Sequence, residues 1–204
     1  MGFVISYLFS DKFKLSRRKL LIPYVFITNI FIFVFFNTSK IDFENLFYYN
    51  WLWGIVTGII VSVFLVKKTF SQPNSRKTTE MTSVFDLIWA GLIYGLIDAL
   101  FLNVLPVIAV FNSTSIELQS AWADKWIPSI LALFASMLVT LAYHLGYAEF
   151  RNRNMRLVLF GNMLITLAFL ISSKPLGAII SHTAMHIAAV VRGAETTIQL
   201  PLHR

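Results

Sequence analysis

Leu176-Gly-Ala-Ile-Ile-Ser-His-Thr-Ala-Met-His-Ile-Ala-Ala-Val-Val191 is an apolar stretch without a charge, and it carries two histidines one helical turn apart, His182 and His186. An uncharged run of this length crosses most of a bilayer core as a helix. In lipid, a polar side chain finds a partner or costs several kcal/mol. Residues four apart share one helix face, so both imidazoles point at a single place in a bundle. The stretch therefore reads as a membrane helix that carries a site.

The rest of the chain repeats the apolar pattern. Of its 204 residues, 57% are hydrophobic and 13% charged, and 19 are phenylalanine. A soluble domain carries about 25% charged residues. Six segments are apolar enough for spans, at 20–36, 46–66, 84–111, 126–147, 157–171 and 176–191; each span needs roughly 17–25 such residues. The expected fold is all-α: a polytopic bundle of about six transmembrane helices over 20–191, with a basic amphipathic segment at 1–19 and a tail at 192–204. Cysteine is absent, which excludes disulfides, thiolate metal sites and a cysteine nucleophile.

Charge sets the orientation. Lys12, Lys14, Arg17, Arg18 and Lys19 precede the first span, and Lys67, Lys68, Arg76 and Lys77 follow the second. Arg151, Arg153 and Arg156 follow the fourth, and Arg192 and Arg204 follow the sixth. The alternate loops hold only Lys40, Lys125 and Lys174. Basic residues gather on the cytoplasmic side, so both termini are expected there. The pattern suits a bacterial cytoplasmic (inner) membrane, and an organellar membrane fits it equally. The net charge of +7 is thereby assigned to topology, and no nucleic-acid motif appears. The expected partners are the lipid bilayer and other membrane proteins, not nucleic acid. Within 1–19, Phe3, Val4, Ile5, Leu8, Phe9, Phe13 and Leu15 interleave with the basic cluster. That segment is either an amphipathic helix on the inner leaflet or a frayed tail. The polar loop 67–82 is expected to be mobile.

Gly54 and Gly58 in the second span, and Gly91 and Gly95 in the third, each form a G-x-x-x-G pair. Glycines so spaced let helix backbones approach closely. With Gly177, Ala178, Ser181, Ala184, Ala188 and Ala189, the sixth span is expected to be an interior helix. Pro23 falls in the first turn of span one, and Pro128 and Pro175 fall near span starts, where proline is tolerated. Pro106 lies deep in the third span and is expected to kink or end it.

Asp98 is the acidic residue well inside a span, and a central aspartate is a functional candidate by its cost alone. Its alternative is a neutral, hydrogen-bonded aspartate that locks two helices. His144 ends the fourth span beside Tyr143 and Tyr147, as a ligand or as an interfacial anchor. Asn103 and Asn162 read as hydrogen-bond bridges between helices. His144, His182 and His186 with Asp98 form a donor set suited to zinc, with a position left for water. Asp98, His182 and His186 are expected near mid-membrane and His144 nearer the cytoplasmic face.

At these residues the chain resembles the CAAX-protease and bacteriocin-processing (CPBP) family of intramembrane proteases. The likeness covers about half the chain, from span three onward. Ser172-Ser-Lys-Pro-Leu-Gly-Ala-Ile-Ile-Ser-His182 matches the family's approach to its last histidine, with His186 where the family has asparagine. Thr140 to His144 keeps the spacing of the middle motif without its aromatic, and Asp98 retains one acid of the first motif. The resemblance implies metal- or water-dependent peptide cleavage at the membrane, with Asp98 and His182 catalytic and His144, His182 and His186 holding zinc or water. Two other roles fit the same residues: a non-enzymatic scaffold or accessory subunit, and a haem-binding electron-transfer subunit using His144 and His186. A small transporter is a lesser fit, because no repeat symmetry is visible.

Overall fold

The computed structural model describes residues 1–13, 15, 17–39, 41–72, 83–151 and 154–193. The described residues form helices joined by short turns, without strands. Five helices are long and apolar enough to cross a membrane: Lys19–Thr38 within α2 (Arg17–Thr38), α4 (Trp51–Phe70), α5 (Val84–Thr114), α6 (Trp122–Leu145) and α7 (Asn154–Ser172). Two short helices precede α2 and α4: α1 (Gly2–Ser6), which continues as a π turn over Tyr7–Lys12, and α3 (Phe43–Phe47). The sixth apolar helix, α8 (Leu176–Arg192), is shorter than the other five. At 1.5 Å per residue it spans only about 25 Å.

Several helices overrun their apolar windows at the ends, where polar interfacial residues extend them, while the helix of the fourth span stops at Leu145, two residues short of its window. The helix of span one starts at Arg17, which puts Pro23 inside it, and α6 starts at Trp122, which puts Pro128 inside it. Pro175 caps α8 as expected. The segment read as 46–66 is broken at Asn50, whose left-handed backbone (φ 52°) separates α3 from α4. Asparagine adopts that conformation more readily than most residues. Pro106 does not end the third span: α5 runs on to Thr114. The basic residues Lys14, Lys40, Arg76, Lys77, Arg153 and Arg204, most of the 67–82 loop and the tail beyond Gly193 lie outside the described residues.

The small residues do what their spacing implies. Cβ atoms built on Gly54 and Gly58 would lie 2.9 and 3.0 Å from the Cβ atoms of Lys174 and Ile180. One on Gly95 would lie 2.9 Å from the Thr183 Cα and 3.0 Å from the His186 Cβ. Only glycine permits such approaches, and α8 thereby sits inside the bundle against α4, α5 and α7. In contrast, α2, α4, α6 and α7 leave rows of large apolar side chains uncovered, among them Phe26, Phe33, Ile60, Val63, Phe134, Leu138 and Leu157. An apolar surface this extensive suits lipid rather than water.

Both ends of the bundle are tied by hydrogen bonds. At the basic end, Arg192 Nε donates to the Gln72 carbonyl, closing α8 on α4. At the other end, Lys174 Nζ donates to the Asn45 carbonyl at 2.6 Å and Lys125 Nζ to Leu118 O and Ser173 Oγ. Burial pushes the Lys174 ammonium below the ordinary lysine pKa. The N-terminal helix packs on the bundle: Ile5 and Ser6 are buried, and Ser6 Oγ donates to the Tyr143 carbonyl at 2.7 Å.

Candidate metal centre

The register of α5 builds the site. Two π-helical stretches, Leu87–Ile93 and Ala99–Val104, interrupt it on either side of Tyr94–Asp98. In an α-helix, residues five apart point to different faces. A π turn closes i→i+5 bonds, so residues five apart stack, and such turns recur at functional sites. The second stretch thus places Asp98 and Asn103 on one face. The antiparallel α8 answers with His186 and His182, four apart on its own face.

The contacts pair off accordingly. His186 Nε2 lies 3.5 Å from Asp98 Oδ2, and His182 Nδ1 lies 2.8 Å from Asn103 Oδ1. One ligand atom from each of Asp98, His182 and His186 lies within 4.8 Å of the others. All three residues are buried, at 2%, 4% and 1% exposure. Asp98 Oδ1 accepts a hydrogen bond from the Tyr24 hydroxyl of α2. Tyr24 in turn packs among the buried rings of Tyr94 and Tyr143. Hydroxyl contacts of 2.8 Å link Tyr94 to Tyr143 and Tyr143 to Tyr147.

The proton on His182 follows from hydrogen-bond direction. Proline has no N–H, so Pro106 leaves the Leu102 carbonyl without its α-helical donor. That carbonyl accepts the Ser136 hydroxyl instead, at 2.6 Å. With its proton so used, Ser136 Oγ accepts from Asn162 Nδ2 at 2.9 Å. Asn162 Oδ1 therefore faces Asn103 and accepts from its Nδ2 at 2.7 Å; Thr166 Oγ1 accepts from the same amide at 2.8 Å. Asn103 is left presenting its carbonyl oxygen to His182, so Nδ1 carries the proton and Nε2 carries the lone pair. A lone-pair Nε2 backed by an Nδ1–H hydrogen bond is how histidine ligates a metal.

His144 lines the same cavity but stands outside the close group. Its Nδ1 donates to the Thr140 carbonyl at 2.9 Å, which leaves Nε2 with a lone pair. The structure thus regroups the sequence candidates: Asp98 joins His182 and His186, and His144 stands beside them. Asn103 and Asn162 are the interhelical bridges expected of them. His203 lies outside the described residues. Tyr24 has no counterpart among the candidates from sequence, although a tyrosine in an apolar span was an available signal. Thr140 enters there only through its spacing to His144, and its buried, unpartnered hydroxyl is visible only in the structure. The cavity measures about 210 Å³ and runs from this polar floor to Lys68, Ser71 and Gln72 at the basic end.

No family model, curated protein or solved structure matches this chain. The donor set itself bears on the metal. Two imidazoles and one carboxylate are a known zinc triad, and a tetrahedral ion with arms of about 2.0–2.1 Å separates its ligands by about 3.4 Å. The 3.5 Å between His186 and Asp98 is close to that edge, and with all three ligand atoms within 4.8 Å of one another the group needs a closure of about 1 Å at its widest pair to hold the ion. Each of Asp98 and His182 also has a fixed outer partner, Tyr24 and Asn103, as metal ligands commonly do.

Proposed function

We propose that this chain is a divergent relative of the CPBP proteases, a hydrolase that works inside the membrane around a zinc ion held by Asp98, His182 and His186. The convergence of these three side chains at the floor of one cavity carries the proposal. Six helices cross the bilayer in this reading, with both termini and the cavity mouth on the basic, cytoplasmic side of a bacterial inner membrane. The ion, when bound, supplies Lewis-acid polarisation and makes water more acidic.

The protein's own groups do the rest. Hydrolysis adds a hydroxyl to the carbon of the broken bond and a proton to the departing heteroatom. His144 is the proton carrier: its Nδ1–H is anchored on the Thr140 carbonyl, so Nε2 takes the proton from water and returns it to the leaving group. The Ser136, Asn162 and Asn103 chain holds His182 in the ligating tautomer. Tyr24 orients Asp98, and the apolar walls keep bulk water out.

Metal content of the detergent-purified protein tests this reading, beside a His182→Ala/His186→Ala variant. About one zinc per chain is expected in the wild type and none in the variant, both folded. No metal in either would leave the scaffold or accessory-subunit reading. Iron with a Soret band would move the chain to electron transfer.

A further inference from the structure

We infer that the cavity opens sideways to the lipid between α4 and α7 and admits a membrane amphiphile with an anionic head, seated with its head at Lys68 and its linkage group beside Gly161. The inference names the substrate class of the site above and rests on that reading for its chemistry, but not for its binding.

Four observations converge on it. The first is a gap. Cβ atoms on Gly54, Gly58 and Gly95 would meet neighbours at about 3 Å, whereas one on Gly161 would meet a single atom, Leu65 Cδ2, at 4.0 Å. Gly161 lines the cavity, so its missing side chain leaves a window in the α7 wall. The second is the lipid-facing surface around that window. Phe64, Leu157 and Phe160 line the cavity and are also 43%, 58% and 48% exposed on the outer face. The Phe64 and Phe160 rings meet edge to face, 6.5 Å between centroids, and form the side-chain contact that an entering chain would part between α4 and α7.

The third is charge. Lys68, exposed one turn above Leu65, is the rim cation, and Arg192 reaches the same rim through Gln72. The acid among the cavity-lining residues is Asp98, at the floor. An anionic head is therefore attracted at the rim, at interface depth. The fourth is a buried donor that awaits a partner. Thr140 Oγ1 is 1% exposed, lines the cavity and makes no hydrogen bond. A carbonyl or ester oxygen entering past Gly161 would satisfy it. Size agrees: an apolar cavity of ~150 Å³ accepts benzene, so about 210 Å³ takes the linkage region of one chain and not a whole lipid.

The depths match this arrangement. Gly161 lies seven residues into α7 and His186 six residues from the end of α8, each roughly 10 Å below the basic end. The linkage under an anionic head thus reaches the level of the imidazoles.

The test uses the full chain in phosphatidylcholine nanodiscs with EDTA, doped with phosphatidic acid carrying a diazirine near the head of its acyl chain. After illumination, adducts are mapped on Leu102 and Met185, which are buried cavity residues that bulk lipid does not reach. The wild type is expected to be labelled there. Gly161→Trp is expected to cut that labelling at least tenfold while zinc uptake, measured on parallel samples free of EDTA, is retained, since the added ring fills open space. Lys68→Glu is expected to cut phosphatidic acid labelling severalfold and to leave labelling by a diazirine phosphatidylcholine unchanged, and soluble glycerophosphate is expected not to compete. Equal labelling by both lipids in the wild type, undiminished labelling in Gly161→Trp, or competition by an apolar peptide without a lipid head would overturn the proposal. Labelling without zinc uptake overturns the metal reading and leaves this one standing; zinc uptake without labelling does the converse.

Discussion

Asp98→Asn is expected to abolish zinc binding while leaving the metal-free protein at least as stable as the wild type. A buried carboxylate is costly without a cation beside it, and replacing such groups with neutral ones is often stabilising. The amide keeps an oxygen to accept from Tyr24 and adds an N–H that donates to His186 Nε2, where Asp98 Oδ2 now lies 3.5 Å away. It is a poor zinc ligand, because zinc takes carboxylate, imidazole or thiolate. Loss of an outer partner alone costs about 10–100-fold in affinity, so loss of a ligand exceeds about 100-fold. Thermal unfolding in detergent, with EDTA and with zinc, measures both effects. In the wild type, zinc at a hundred times its Kd adds about 2.7 kcal/mol, and in the variant the same concentration adds less than about 0.4 kcal/mol. A variant that zinc stabilises beyond that, or one that unfolds earlier than wild type in EDTA, contradicts the assignment.

Asn103→Leu is expected to damage both properties. Leucine removes the acceptor that fixes the His182 proton on Nδ1, and it strips the Nδ2 donor from Asn162 and Thr166. Buried polar groups deprived of partners cost about 1–3 kcal/mol each, so a loss of at least about 2 kcal/mol is expected in EDTA. Zinc affinity is expected to fall about 10–100-fold, since His182 remains but its tautomer is no longer set. The two variants thus part company in metal-free stability, where one gains and the other loses. Equal stability changes in both would mean that Asp98 and Asn103 serve packing alone.

Much of this was legible in the sequence. Hydropathy placed the helices to within a few residues, because lipid and core demand the same apolar faces. The His182 and His186 pair, the cost of Asp98 in an apolar span and the Gly95 approach all followed from helical spacing. The π turns did not, because no local residue pattern distinguishes them, and they alone bring Asn103 onto the face of Asp98. Pro106 was legible as a helix disturbance, yet its consequence lies in space: the Leu102 carbonyl it frees sets the hydrogen-bond direction that ends at His182. Tyr24 reaches Asp98 from another helix, so no spacing along the chain joins them. His144 falls outside the close group because it ends α6 rather than facing the α5 and α8 contact.

The most direct test is the zinc X-ray absorption spectrum of the zinc-loaded protein in detergent. One zinc per chain is expected, with two imidazole nitrogens and carboxylate oxygen at about 2.0–2.1 Å, and the imidazole signature is expected to be lost in His182→Ala/His186→Ala. A shell of oxygen alone, the same shell in the double variant, or failure to load zinc at all would contradict the metal assignment.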